Sequence, residues 1–109
     1  MTVKEVSTAL GLTEWNMADE GREVEGVYAG DLLSWVMGHA EESNALVTIM
    51  SNLNVLAVAS LLDLSCVILT EGVTPDKEFM NTAKDKGINV FSTKMTTYEA
   101  CVKLSGILK

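Results

Sequence analysis

The stretch Cys66-Val67-Ile68-Leu69-Thr70-Glu71-Gly72-Val73-Thr74-Pro75-Asp76 constrains this chain more than any other. An apolar run rich in β-branched residues stops at a polar, glycine-bearing turn, and a proline follows where a helix should open. A buried strand of this kind delivers its loop to the carboxyl edge of a parallel sheet. Open α/β proteins place their ligands at that edge.

The rest of the chain repeats the theme. Thr2-Val3-Lys4-Glu5 reads as a capping box opening a short helix that ends near Gly11. Leu12 to Asn16 reads as an edge strand, Met17 to Glu25 as a polar turn region, and Val24 to Tyr28 as a strand closed by Gly30-Asp31. Asp31 is placed to cap a helix carrying Leu32, Leu33, Val36, Met37 and Ala40. Leu46 to Met50 reads as a strand, and Asn54 as the cap of a helix from Val55 to about Leu62. That helix is apolar on nearly every face and is expected to be covered on all sides, at the centre of the fold or in a subunit interface. Thr74 as cap, Pro75 in the first turn and Gly87 as the closing residue bound the next helix. Ile88 to Phe91 is a short strand. Thr96 to Glu99 is a second capping box, opening a helix with Tyr98, Cys101, Leu104 and Leu108. Alternating strands and helices predict a three-layer α/β fold, a mostly parallel sheet with helices on both faces. All of residues 1–109 are expected to form a single domain.

Bulk properties exclude several classes. The net charge is −7 and only eight Lys and Arg are scattered along the chain, which argues against nucleic acid and anionic membranes. Met1 to Gly11 lacks a signal-peptide core, and Val55 to Leu62 is too short to span a bilayer, so a cytoplasmic location is expected. Cys66 and Cys101 have no CxxC spacing and read as buried thiols. No metal-ligand spacing or phosphate-loop pattern appears, so no cofactor is expected. The single histidine, His39, reads as a helix-end contact, and Trp15 and Trp35 as core or interface residues.

The carboxyl edge is expected to gather Gly30, Asp31 and Ser34; Asn52 and Asn54, after Ser51; Thr70, Glu71 and Gly72; and Ser92 with Thr93. These small polar residues precede helices whose first N–H groups suit an anionic or hydrogen-bonding ligand. Each also has a plain structural use, as a cap or a turn. Asp31 and Glu71 offer a carboxylate pair, the one constellation here compatible with acid–base catalysis.

Three segments resemble the DRTGG domain family, similar to the N-terminal domain of HPr kinase/phosphorylase. They are Val27-Tyr28-Ala29-Gly30-Asp31-Leu32-Leu33-Ser34, Thr70 to Asp76, and Val90-Phe91-Ser92-Thr93-Lys94-Met95-Thr96-Thr97-Tyr98-Glu99. The name-giving Asp-Arg falls at Asn52-Leu53, and Thr-Gly-Gly at Thr70-Glu71-Gly72, so the charged pair is lost and one glycine has become a carboxylate. The resemblance implies a fold related to the N-terminal domain of Mur ligases. It also implies a non-catalytic regulatory or ligand-sensing module, usually oligomeric, without the kinase activity. The expected function is therefore a homodimeric sensor that binds a small metabolite or nucleotide at the loop edge. The alternative is a protein-interaction module acting as the accessory subunit of a metabolic or signalling enzyme, using the Val55–Leu62 helix or the Trp35 helix as its contact face.

Overall fold

The computed structural model describes residues 1–108, which form five strands and five helices. In chain order these are α1 (Val3–Leu10), β1 (Thr13–Asn16), β2 (Val27–Ala29), α2 (Leu33–His39) and β3 (Ala45–Thr48). There follow α3 (Leu53–Leu61), β4 (Cys66–Leu69), α4 (Lys77–Lys86), β5 (Val90–Ser92) and α5 (Thr97–Ile107). The sheet order is β1-β5-β4-β3-β2; β2 to β5 are mutually parallel and β1 runs antiparallel to β5.

Strand alternation sets the layers. Ala45, Val47, Cys66, Ile68 and Phe91 face one side, where Val3 and Val6 of α1 and Ala100 and Leu104 of α5 cover them. Leu46, Val67, Leu69 and Val90 face the other, under α2, α3 and α4 through Val36, Val55, Leu56, Phe79 and Ala83. Strands buried on both faces need no polar alternation, which is why β3 and β4 read as continuous apolar runs. Because β2 to β5 lie side by side in chain order, their connecting helices α2, α3 and α4 all fall on one face. The chain changes face after β5, where α5 crosses to the opposite side.

Beyond α1, the polar segment 17–25 is tied down at its start by Asn89 and further along by Arg22, which bonds Asp63 and Ser43. Asn89, almost fully buried, accepts from the N–H groups of Ala18 and Asp19 and donates to the carbonyls of Asp19 and Ser65.

Both capping boxes are present, at Thr2/Glu5 and Thr96/Glu99, and Gly11 and Gly87 close α1 and α4 in the left-handed conformation. Other caps differ from expectation. Asn52, not Asn54, caps α3, its side chain accepting from the Asn54 N–H at 3.0 Å. Asp76, not Thr74, caps α4, accepting from the Phe79 N–H at 2.8 Å; its carboxylate is the stronger acceptor, and the helix starts two residues later. Asp31 caps nothing: α2 begins after Leu32 without a side-chain cap. Asp31 is drawn instead to β3, accepting from the Thr48 hydroxyl at 3.1 Å and the Ile49 N–H at 3.2 Å.

Helix α3 is not at the centre of the fold: Val55, Leu56, Val58 and Ala59 are buried but Leu61 is 71% exposed on the single chain, so of the two expected placements only a subunit interface would cover it. The inward side of α2 is Val36, while Leu32, Trp35 and Met37 face outward. Tyr98 is likewise exposed on α5. Cys66 is buried, and burial pushes its thiol pKa up to about 12. Cys101 is only half-buried, contrary to the expectation of two buried thiols, and burial raises its pKa as well. Alkylation of the native protein at pH 8 should therefore modify Cys101 and spare Cys66 until denaturant is added, which mass spectrometry would read directly.

Glu5 and Glu99 have pKa values held below the usual 4.5, chiefly by the backbone N–H groups of Thr2 and Thr96 that each accepts. A carboxylate depressed in the folded state adds stability that is full above its unfolded pKa and lost as pH falls through the folded one. Replacing both by Gln should flatten the loss of stability between about pH 5 and about pH 3, measured by urea unfolding at each pH.

Candidate functional site

The carboxyl ends of β2 to β5 and the start of β1 lie along one edge, with Thr13 of β1 paired to Ser92 of β5. The ten expected site residues divide there into two groups. Gly30, Asp31, Ser34, Asn52 and Asn54 lie beyond β2 and β3, where α2 and α3 leave on the same face. Thr70, Glu71, Gly72, Ser92 and Thr93 lie beyond β4 and β5, where α4 and α5 leave on opposite faces. An edge opens into a crevice where successive connections diverge. The second group occupies that divergence.

In the first group Gly30, Asp31 and Asn52 each have a local task. Gly30 lets the chain pass Tyr28, whose ring a β-carbon there would meet at 3.2 Å. Asp31 ties the β2 loop to Thr48, and Asn52 caps α3. Ser34 and Asn54 are exposed in the first turns of their helices.

The second group is bound more tightly. Thr70 is fully buried, and its hydroxyl lies 2.7 Å from that of Thr97. The Val73 N–H donates to the Thr70 carbonyl at 3.1 Å. This closes a turn whose central residues Glu71 and Gly72 have φ of 60° and 78°, the signs of a type I′ turn. The Glu71 and Gly72 N–H groups donate to the carbonyls of Met95 and Thr93, stitching the β4 loop to the β5 loop. The Glu71 carboxylate accepts from the Thr97 N–H at 2.8 Å. Glu71 thus serves as an extra cap for α5, which a glycine cannot do, and it takes on left-handed strain in return.

Two expectations are narrowed here. Four of the five helix N-termini carry a side-chain cap, at Thr2, Asn52, Asp76 and Thr96, and Glu71 takes a further donor of α5, while α2 starts with no side-chain acceptor. Asp31 and Glu71 are each engaged with separate partners, in different groups, and form no shared contact. His39 Nδ1 sits 2.8 Å from the Trp35 carbonyl, and the two rings stack at 4.3 Å.

Beside the second group is a cleft of about 150 Å³. It is walled by Thr13 and Trp15 of β1, by Gly72 and Thr74 after β4, and by residues 92–94 beyond β5. Trp15 is not a core residue: it is 37% exposed, and its indole N–H donates to the Ser92 hydroxyl at 2.7 Å. Lys94 forms no ion pair among the described residues. The part played by Thr13, Trp15, Thr74 and Lys94 was not foreseen from sequence. The one available signal was the reading of residues 12–16 as an edge strand, which brings Trp15 beside some parallel neighbour. No helix of the described residues is long and apolar enough to cross a membrane.

A family model described as HPr Serine kinase N terminus matches residues 36–108, more than half of the chain. Among solved structures, the chain is similar to the CBS and DRTGG domains of the regulatory region of Clostridium perfringens pyrophosphatase, complexed with the activator diadenosine tetraphosphate. The TM-score is 0.74 at 19% identity, covering 94% of this chain and 45% of that one. This chain therefore spans less than half of that regulatory region, and the likeness is one of fold. No curated protein matches.

The two roles of Glu71 separate by substitution. Glu71→Ala keeps the left-handed strain and loses the contact to Thr97, and should lower stability by about 1 kcal/mol. Glu71→Gly loses the same contact but relieves the strain, and should exceed the alanine variant by roughly 1 kcal/mol in urea denaturation.

Proposed function

The chain belongs to the HPr serine kinase N-terminal family, and we propose that it is a non-catalytic regulatory domain that senses a small metabolite or nucleotide. The observation that carries this reading is the divergence of α4 and α5 after neighbouring parallel strands, with a cleft walled by hydroxyls, an aromatic ring and an unpaired lysine. The ten residues Gly30, Asp31, Ser34, Asn52, Asn54, Thr70, Glu71, Gly72, Ser92 and Thr93 form its ligand edge, with Gly72, Ser92 and Thr93 nearest the ligand and Thr70 and Glu71 behind them. The pyrophosphatase regulatory region, whose crystal contains a nucleotide activator, supports the choice of ligand class. The kinase chemistry of the family's name is not proposed, because the expected edge residues are engaged in caps and turns.

A second reading has its own observation. Trp35, at 58% exposed, stands with Met37 on α2 and Leu32 just before it, and Leu53 and Leu61 are exposed on α3. Such a face fits a protein contact, with a second copy in a homodimer or with a partner enzyme. Light scattering distinguishes them: a monomer at high concentration, unaltered by Trp35→Glu, removes the homodimer.

A thermal-shift screen against nucleotides and central metabolites tests the leading proposal. A ligand at about 100 times its Kd adds roughly 2.7 kcal/mol, enough to raise Tm by about 10 °C in a domain of this size. No shift from any compound at millimolar concentration overturns it.

A further inference from the structure

Resting on the ligand-sensing reading, we infer that the cleft between β1 and the loops after β4 and β5 is a nucleobase slot, with Trp15 as stacking platform and Lys94 as the counter-charge for an attached phosphate. The volume decides how much of a ligand fits. About 150 Å³ accommodates one flat heteroaromatic ring system, well below the several hundred Å³ of pockets that enclose whole small molecules. The remainder of the ligand lies over the rim.

The wall is suited to a ring. Trp15 is held at both ends, by its strand and by the indole N–H bond to Ser92, yet 37% of the residue remains exposed. A tryptophan fixed in place with part of its surface open offers a stacking surface that costs little ordering on binding. The Ser92 hydroxyl accepts from Trp15 and donates to no acceptor among the described residues, so its proton is available to a ligand. A ring nitrogen acceptor, present in every purine, fits that donor. Thr74 adds an exposed hydroxyl that makes no hydrogen bond among the described residues.

The charge argument fixes the other end. With a net charge of −7, the protein repels anions over most of its surface. The N-termini of α3, α4 and α5 on this edge each give a donor to their own side-chain cap. Lys94, unpaired and on the cleft wall, is the cation placed to receive a phosphate.

Trp35→Phe leaves Trp15 as the sole tryptophan, and its emission reports occupancy of the cleft. ATP, AMP, adenosine and tripolyphosphate are titrated, with calorimetry alongside. ATP and AMP should quench the emission saturably, adenosine should do so more weakly, and tripolyphosphate should not. Lys94→Gln should weaken ATP about fivefold and leave adenosine nearly unchanged, the size expected for one exposed charge. Trp15→Leu should weaken all three purines roughly tenfold or more. Lys94 is exposed, so that variant keeps the test decisive even if Trp15→Leu loses its fold. Nucleotide binding that leaves Trp15 emission and both variants' affinities unchanged overturns the slot while the sensing role stands. A thermal shift from some other metabolite, with no purine binding, does the same. Silence from every compound overturns both.

Discussion

Thr70 and Thr97 meet hydroxyl to hydroxyl at 2.7 Å, at the point where the chain changes from one face of the sheet to the other. Thr70 is fully buried at the end of β4, and an unpaired hydroxyl there would cost about 1–3 kcal/mol. Thr97 is the first residue of α5, so the bond sets where that helix leaves the sheet. The loops after β4 and β5 then lie close enough for Glu71 and Gly72 to bond Met95 and Thr93. The position of the cleft, and of Lys94 beside it, follows from that one buried contact and the turn it anchors.

The edge illustrates how a fold can keep a site's frame while changing its chemistry. The type I′ turn favours glycine at both central positions, and this chain has Glu71 at the first. The carboxylate finds use as an additional cap on α5. With a negative charge placed there and side-chain caps on α4 and α5, the helices beside the cleft, the lysine across it is the cation an anion would meet. The usual anion site of an α/β protein, the open helix N-terminus, is absent from the capped helices of this edge.

Much of this architecture is legible in the sequence because it is local. The β3 and β4 runs, the two capping boxes and the closing glycines at 11 and 87 are each written within a few consecutive residues. Cap positions slipped where two good candidates stand two residues apart, as with Asn52 and Asn54, or where a proline rule competes with a carboxylate, as with Pro75 and Asp76. Asp31 misled because its partner, Thr48, is on another strand. Trp15 was invisible for the same reason at greater range: its bond to Ser92 joins residues 77 apart, and pairing of that kind leaves no periodic trace. Apolar character alone left core and interface open for Trp35 and for the Leu61 helix, because it predicts burial only on average, and both side chains lie exposed on the single chain.

Strand β1, like β2 at the opposite margin, is secured along one side, and it alone adds an irregular register. It touches the sheet through β5 alone, carries a register shift between Glu14 and Asn16, and leads into the segment that Asn89 suspends. Elements tied along one side open at lower free energy than the core they border. Amide exchange in β1 should consequently outpace that of β3 and β4 while the protein stays folded. Anything bridging Trp15 to the far wall of the cleft acts on that opening equilibrium, so its effect would register as slower exchange at one margin of the sheet, with the overall shape unaltered.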